Sequence, residues 1–288
     1  MCILFINVNP NAEQDQYKIV LACNRDELYD RKTLPAHRWL DNPNCLGGID
    51  MKVGREGGTW LAMNEKSAKI GVILSIACER KSDKQGRGSI ITDYMNSKED
   101  PRSYINSLRE EADKYSLFNF ISLSKIDSDP VLTYFTNNGP DEAPKILSST
   151  GIYGFSNSVL EMPFLKVERG AQDLESLLKK YPTRKDESKL LADILDLLKS
   201  PERHYPDPHL RRQIGDFAEQ YIKNLSSRFV HIPSGNYGTR THTIILVTGD
   251  NQGSYHEWTL EDSSYNVLTA NWKYSKFDIS FDPSVKIL

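Results

Sequence analysis

The sequence predicts an α+β fold with antiparallel sheets. Short segments rich in β-branched and aromatic residues come in pairs joined by brief polar connections, which is the pattern of antiparallel hairpins. Segments with helical periodicity come in two blocks, so the order is strands, helices, strands, helices, strands. A doubly wound parallel sheet would instead alternate single strands with helices. No repeat, low-complexity segment or linker interrupts the chain, so we expect a single domain over residues 1–288.

The first hairpin is predicted from residues 3–8 and 17–23, ILFINV and YKIVLAC, which are joined by the turn-forming loop PNAEQDQ. If the hairpin is symmetric about this loop, Val8 pairs with Tyr17. A slip of two residues keeps the same side chains on each face, because side chains alternate with a period of two.

A polar cluster follows the second of these strands. In the symmetric register Cys2 lies opposite Cys23 and Met1 lies opposite Asn24. The apolar run YKIVLAC stops at residues 24–27, NRDE, where we expect the strand to end. The cluster should therefore lie beside the amino terminus of the chain.

The remaining elements follow from the same patterns of period 2 and period 3.6. A further hairpin is expected from TWLAMN and AKIGVILSI. We predict helices from Ser89 and from the Asp100-Pro101 cap, strands at FNFISLSKI and PVLTYFT, helices over 164–181 and 187–199, and strands at THTIILVT, SYHEWTL and 272–281.

Composition excludes several classes of protein. A net charge of -3 and a pI near 6.1 give no electrostatic footprint for nucleic acid or an anionic membrane. No segment has the roughly 20 apolar residues of a membrane-spanning helix, and the first residues lack the pattern of a secretory signal. The four cysteines, Cys2, Cys23, Cys45 and Cys78, form no CxxC pair, which favours a reducing compartment, with the cytoplasm as the default. No metal site is expected, since HYPDPH reads as an exposed loop.

The cysteine at position 2 has two interpretations. If Met1 is removed, Cys2 carries both a thiol and an α-amine, and an amine with a pKa near 7.7–8.0 is a usable base for the thiol proton. Asp26 would orient that amine, while Arg25 would favour the thiolate or bind an anionic substrate group. The alternative is that Cys2 is a small buried apolar residue.

A histidine on the late strand is a second candidate. Arg240, His242 and Ile244 share one face of the strand TRTHTII by the period-two rule. If Arg240 points into a cleft, His242 binds an acidic group there or ligates haem iron. The plainer alternative is a hydrogen-bonded histidine at a sheet edge.

Five motifs carry a family resemblance. MC, LACNRDE, GGIDMKVGREGGTWLAMN, GIYGFSNSVLEMPFLK and NYGTRTHTIILV, in this order and spacing, resemble the transport and Golgi organisation protein 2 family, also called the NRDE family. More distantly, the layout is similar to the cysteine N-terminal-nucleophile acylases. That similarity implies a four-layer α-β-β-α sandwich with two antiparallel sheets.

The acylase similarity also implies roles for individual residues. Cys2 matches the nucleophile, Arg25 and Asp26 match an Arg and a nearby Asp, Asn157 matches an oxyanion-binding or substrate-orienting Asn, and Arg240 matches a late Arg close to the nucleophile. Two departures matter. Arg25 and Asp26 are adjacent and serve one site only if the strand breaks there. Ser75 also stands where the acylases usually have an oxyanion Asn, a loss that typically costs about 2.7–4 kcal/mol of transition-state stabilisation.

For function, the resemblance implies a soluble intracellular haem-trafficking protein that moves haem out of haem-rich compartments such as mitochondria, with links to lipid homeostasis. Haem is then the cargo, no catalytic cofactor is needed, and the ligand-binding residues are Asn24, Arg25, Arg240 and His242. The expected location is the cytoplasm, with mitochondria and the Golgi as further sites. Two alternatives remain: a cysteine amidohydrolase or thioesterase using Cys2, Asp26 and Asn157, and a binder of acyl-CoA or lipid without turnover.

Overall fold

The computed structural model describes residues 1–76, 84–139, 143–261 and 269–282. Cys78, one of the four cysteines of the sequence, lies outside the described residues. The strands in chain order are β1 Ile3–Val8, β2 Tyr17–Leu28, β3 Thr33–Arg38, β4 Cys45–Asp50, β5 Leu61–Asn64, β6 Lys69–Ser75, β7 Phe118–Ser124, β8 Val131–Thr136, β9 Lys145–Ile146, β10 Gly151–Phe155, β11 His231–Ile232, β12 Tyr237–Thr248, β13 Gln252–Leu260 and β14 Trp272–Ser280. The helices are α1 Gly88–Asn96, α2 Pro101–Glu110, α3 Leu165–Lys180, α4 Glu187–Leu198, α5 Pro208–Ile214 and α6 Glu219–Leu225.

The chain divides into two compact units. The first contains Met1–Arg31 and Thr150–Asp278, and the second contains Lys32–Ser149 with the residues from Ile279 onward. Each unit combines helices with an antiparallel sheet, so the predicted α+β class with antiparallel sheets is confirmed. The single domain and the four-layer α-β-β-α arrangement stay predictions.

The sheet of the first unit has the strand order β10-β1-β2-β12-β13-β14, with β11 paired to β12. The predicted first hairpin is present, but its register is shifted by two residues. Val8 pairs with Ile19, and Leu4 pairs with Cys23. The longer loop keeps the same side chains on each face, as a shift of two must.

The predicted end of the second strand is wrong. β2 continues through the polar cluster to Leu28, because its NRDE residues pair with β12. The irregularity lies in the partner strand: Asp26 pairs with Thr239 and Arg25 pairs with Thr241, which leaves Arg240 between them without a partner. Arg240 is therefore the extra residue of a β-bulge.

Helices α3 and α4 cover this sheet, α3 against β10 and β1, and α4 against β12 and β2. The helix predicted over 187–199 is confirmed, and α4 buries Leu190, Ile194 and Leu198. α3 comes very close to β1 at Gly170, where a Cβ atom would lie 2.2 Å from the Phe5 ring. Glycine is required here by space, since any side chain would overlap the ring.

The sheet of the second unit is a meander in the order β3-β4-β5-β6-β7-β8-β9. α1 packs against β5 and β6. The Asp100 cap of α2 is confirmed, because its carboxylate accepts from the backbone N–H groups of Arg102 and Ser103. The predicted Ser89 cap is wrong, since α1 begins at Gly88. Ser75 ends β6, where it pairs with Phe118.

The exposed loop predicted for HYPDPH is observed only in part: residues 204–207 lie outside helices and strands and Pro206 is exposed, but α5 begins at Pro208. Asp207 is buried and caps α5, where its carboxylate accepts from the N–H groups of His209 and Leu210 and, from α3, of Leu165. The imidazole ring of His209 forms a hydrogen bond with the Ser158 hydroxyl. Within the described ranges, no group of three or more His, Cys, Asp or Glu side chains forms a metal-binding cluster. None of the helices in those ranges has the length and apolarity needed to cross a bilayer.

Candidate functional site at the amino terminus

The amino terminus is enclosed in the first unit. β1 lies between β10 and β2, so the residues before Ile3 are carried to the part of β2 that holds the NRDE cluster. Met1 is only 5% exposed. Its ammonium lies 2.9 Å from Asp26 Oδ2 and donates to the Tyr237 hydroxyl. An ammonium and a carboxylate are buried here as a pair, and burial lowers the pKa of the Met1 amine by more than the Asp26 carboxylate raises it.

Asp26 is oriented by the bulge of β12. Its second oxygen, Oδ1, accepts from the Thr239 hydroxyl at 2.7 Å. Thr239 is the pairing partner of Asp26. Arg240, the extra residue of the bulge, comes next in β12 and precedes Thr241, the partner of Arg25. The carboxylate therefore has fixed partners on both oxygens.

The Cys2 thiol lies against the backbone of the same residue. Its Sγ is 3.7 Å from the Asp26 carbonyl oxygen and accepts from the Asp26 N–H at 3.4 Å. Burial raises the pKa of the Cys2 thiol, which the Met1 ammonium lowers and the Asp26 carboxylate raises. With Met1 in place, the thiol is protonated near neutral pH and the Cys2 nitrogen is an amide.

Lys166 is a site residue that sequence reasoning missed. It is fully buried, and its ammonium donates to the Ser227 carbonyl at 3.0 Å and to the Met1 carbonyl at 3.4 Å. Burial lowers the pKa of Lys166 to about 8, while Asp26, Cys2 and Asp207 raise it. The signal was its spacing: Lys166 lies four residues before Gly170 on the buried face of α3, where a lysine is unusual without a partner.

The segment that follows β10 contacts the backbone of Cys2. The Ser156 hydroxyl donates to the Cys2 carbonyl oxygen at 2.7 Å. Asn157, the predicted oxyanion residue, follows it and is buried, and its backbone carbonyl accepts from the Gln213 side chain at 2.5 Å. The structure thus places Asn157 next in the chain to a residue that contacts Cys2.

Asn24 and His242 form a pair of their own. The Asn24 amide donates to the carbonyls of Leu198 and Arg228, so its oxygen is the acceptor for His242 Nδ1–H at 2.6 Å. That assignment leaves His242 Nε2 with a lone pair, and this atom finds no hydrogen-bond partner among the residues that the structure describes.

The surroundings of His242 keep it neutral. Its ring is stacked between Phe229 and Trp272, with centroid distances of 5.9 and 4.9 Å. Burial lowers the pKa of His242 to about 3. The hydrogen-bonded histidine of the plainer alternative is present, although β12 is an interior strand between β2 and β13 rather than a sheet edge.

Arg25 and Arg240 are both 6% exposed. Arg240 donates to the carbonyls of Leu28, Arg31 and Leu260, while its Nε–H has no acceptor within the described part of the chain. Burial lowers the pKa of Arg240 to about 10, and the nearby Arg25 charge lowers it further in the same direction. The bulge at Arg240 interrupts the period-two pattern of β12 before His242.

Comparison with known protein families matches most of the chain, including the residues of this site. The sequence profile described as transport and Golgi organisation 2 matches residues 1–262. The chain belongs to the transport and Golgi organisation 2 family.

Curated relatives of this family match over nearly their whole length. Transport and Golgi organization protein 2 of Drosophila melanogaster is 35% identical over 267 residues, covering 90% of this chain and 92% of the relative. The Homo sapiens homolog is 34% identical over 266 residues, covering 91% and 94%. The Mus musculus homolog is 32% identical over 287 residues, covering 97% and 99%. The resemblance drawn from five motifs is therefore confirmed.

Proposed function

We propose that this member of the transport and Golgi organisation 2 family is a haem carrier of intracellular trafficking, which receives haem from haem-rich compartments such as mitochondria. In this proposal the chain works in the cytoplasm, with mitochondria and the Golgi as points of delivery or origin. Haem is cargo and undergoes no reaction. The support comes from the family and from the charges around the bulge of β12.

The observation that carries the proposal is the pair of buried guanidinium groups at Arg25 and Arg240. Each is 6% exposed, and the Arg25 charge helps to lower the pKa of Arg240, so the two repel each other. An anion bound to both relieves this repulsion, and the Arg240 Nε–H is a donor without an acceptor in the described residues. Glu27 and Asp30 partly balance the charge. A ligand with two carboxylates, such as haem with its propionates, suits such a pair.

The state of Cys2 supports binding without turnover. While Met1 is present, Cys2 has no free amine to act as a base, and burial raises the pKa of its thiol. In this form the Cys2 thiol packs against the backbone of Asp26. A carrier requires nothing more of it.

The test is a spectrophotometric haem titration of the full chain and of Arg25→Gln, Arg240→Gln and Arg169→Gln. Arg169 is the matched control, because it is exposed on α3 and its guanidinium donates to the neighbouring Gln172 side chain. We expect saturable binding that weakens at least tenfold in the first two variants and is unchanged in the third. Equal affinity in all four proteins, or no saturation, would overturn the proposal. Saturable binding of acyl-CoA in place of haem would assign the site to an acyl-CoA binder.

A second candidate function is supported by the buried carboxylate at the amino terminus. In a chain without Met1, Asp26 loses its 2.9 Å ion pair with the Met1 ammonium. The Cys2 α-amine of that chain, with a pKa near 7.7–8.0, would accept the thiol proton. We propose for that form a cysteine amidohydrolase or thioesterase that acts on acyl conjugates. The thiolate would attack the acyl carbon, the leaving amine or thiol would take the proton held by the Cys2 amine, and water would hydrolyse the thioester.

Intact-mass measurement tests this candidate. Protein from its native cells is weighed before and after reaction with a thiol-directed acyl probe. Loss of Met1 together with one adduct that Cys2→Ala removes supports the enzyme. Retention of Met1 throughout the population contradicts it.

A further inference from the structure

Met1 is held as a bound ligand would be held. Two of its parts have complementary groups, since the ammonium contacts Asp26 and Tyr237 and the carbonyl oxygen accepts from Lys166, and its side chain is buried. Asp26 is 5% exposed and Lys166 is fully buried, so these charges are aimed inward by the fold. The buried negative charge of Asp26 and the buried positive charge of Lys166 contact opposite ends of the Met1 backbone. Together they form a recognition pattern for the ammonium and carboxylate of an α-amino acid.

We propose that removal of Met1 turns this position into a binding site for a free L-α-amino acid with an unbranched apolar side chain, methionine being the simplest. The ligand's ammonium pairs with Asp26 and donates a hydrogen bond to the Tyr237 hydroxyl. Its carboxylate faces Lys166 and the new Cys2 ammonium. This inference rests on the second candidate function only in requiring a chain without Met1, and it is independent of haem binding.

The charges favour the free amino acid over a neutral occupant. Removing Met1 takes away the ammonium that lies 2.9 Å from Asp26 Oδ2, and a buried carboxylate that loses its ion-pair partner is destabilised. The Thr239 hydroxyl that holds Asp26 Oδ1 is a neutral donor and does not replace that charge. A bound amino acid restores the ion pair.

The site also discriminates between related compounds. Acetylation of the ligand removes the positive charge that Asp26 recognises and adds bulk beside Tyr237. A D-amino acid exchanges the places of its side chain and hydrogen, so its ammonium and carboxylate cannot both reach Asp26 and Lys166 while the side chain occupies the space of Met1. Binding should therefore depend on charge and on chirality together.

The experiment uses the full chain released from an amino-terminal fusion by cleavage directly before Cys2. Isothermal titration calorimetry with L-methionine should show one saturable site, at least tenfold weaker for N-acetyl-L-methionine and for D-methionine. Asp26→Asn and Lys166→Met should each weaken L-methionine binding at least tenfold. Lys179→Met, an exposed lysine on the same helix, should leave it unchanged. The chain that retains Met1 should show no binding, because its own residue fills the site.

Three results would overturn the proposal. They are absence of saturable L-methionine binding to the Met1-free chain, equal binding of N-acetyl-L-methionine, and equal binding by the chain that retains Met1. If removal of Met1 unfolds the protein, we expect L-methionine, but not its acetylated form, to raise the melting temperature, and no such rise also overturns the proposal. Reaction of Cys2 with an acyl probe is measured separately, so failure of the amino-acid site and failure of the enzyme candidate are distinguishable.

Discussion

Substitution of Lys166 by methionine should change how the stability of the protein depends on pH. Lys166 is fully buried, and its ammonium donates hydrogen bonds to the carbonyl oxygens of Ser227 and Met1. Methionine has a similar length and no charge, so it removes the titration while keeping much of the packing. The two carbonyls lose a donor, which lowers stability by an amount that does not vary with pH.

The magnitude follows from the pKa of the lysine. Burial lowers it from 10.5 to about 8 in the folded chain. Between these values the unfolded chain binds more protons than the folded chain, so the free energy of unfolding rises with pH in this window. From about pH 7 to about pH 9.5 the gain due to Lys166 is about 2 kcal/mol, at 1.36 kcal/mol for each pKa unit. Below the folded pKa this contribution is absent.

Urea unfolding of the wild type, Lys166→Met and Lys179→Met at a series of pH values measures the effect. The Met1 amine, the Cys2 thiol and the Tyr237 hydroxyl titrate in all three proteins, so their contributions are largely subtracted. The wild type and Lys179→Met should gain stability relative to Lys166→Met as pH rises. Parallel pH profiles, or a relative loss of stability, would refute the assignment of Lys166 as a buried ammonium with a lowered pKa.

Three further predictions concern packing, capping and the histidine. Gly170→Ala should lower the free energy of unfolding by about 1–3 kcal/mol, because its Cβ would lie 2.2 Å from the Phe5 ring, and an unchanged urea midpoint would contradict this close approach. Asp207→Ala should cost about 2 kcal/mol in the same assay through loss of the α5 cap and of the bond to Leu165, whereas Asp207→Asn should recover part of that loss. His242→Phe should leave haem affinity within about twofold of the wild type, since the ring is enclosed by aromatic side chains. A large loss of haem absorbance in His242→Phe would instead make His242 an iron ligand.

The sequence predicted the elements of the fold better than their pairing. The hairpins, the buried stripe of α4 and the late strands all follow from local periodicity. The register of β1 with β2 depends on how many loop residues stay unpaired, and symmetry placed it two residues away from the observed pairing. Local pattern also could not reveal that β2 continues through its polar cluster, because that continuation depends on pairing with β12, distant in the chain.

The candidate site was predicted in part for the same reason. Cys2 and Asp26 do lie together, as the hairpin required. The bulge at Arg240 depends on the partner strand, so counting by two along β12 could not place Arg240 relative to His242. Lys166 was visible only as an ordinary lysine of a helix, although its place on the buried face of α3 is a signal that helical periodicity can detect.

The most direct test of the proposed carrier function compares haem with its dimethyl ester, in which both propionates are blocked, by equilibrium titration of the full chain. Because the proposal assigns binding to Arg25 and Arg240, we predict one haem per chain and an affinity at least tenfold lower for the ester. Saturable binding of haem and ester with equal affinity would contradict the role of the two arginines. Absence of saturable haem binding would contradict the carrier function itself.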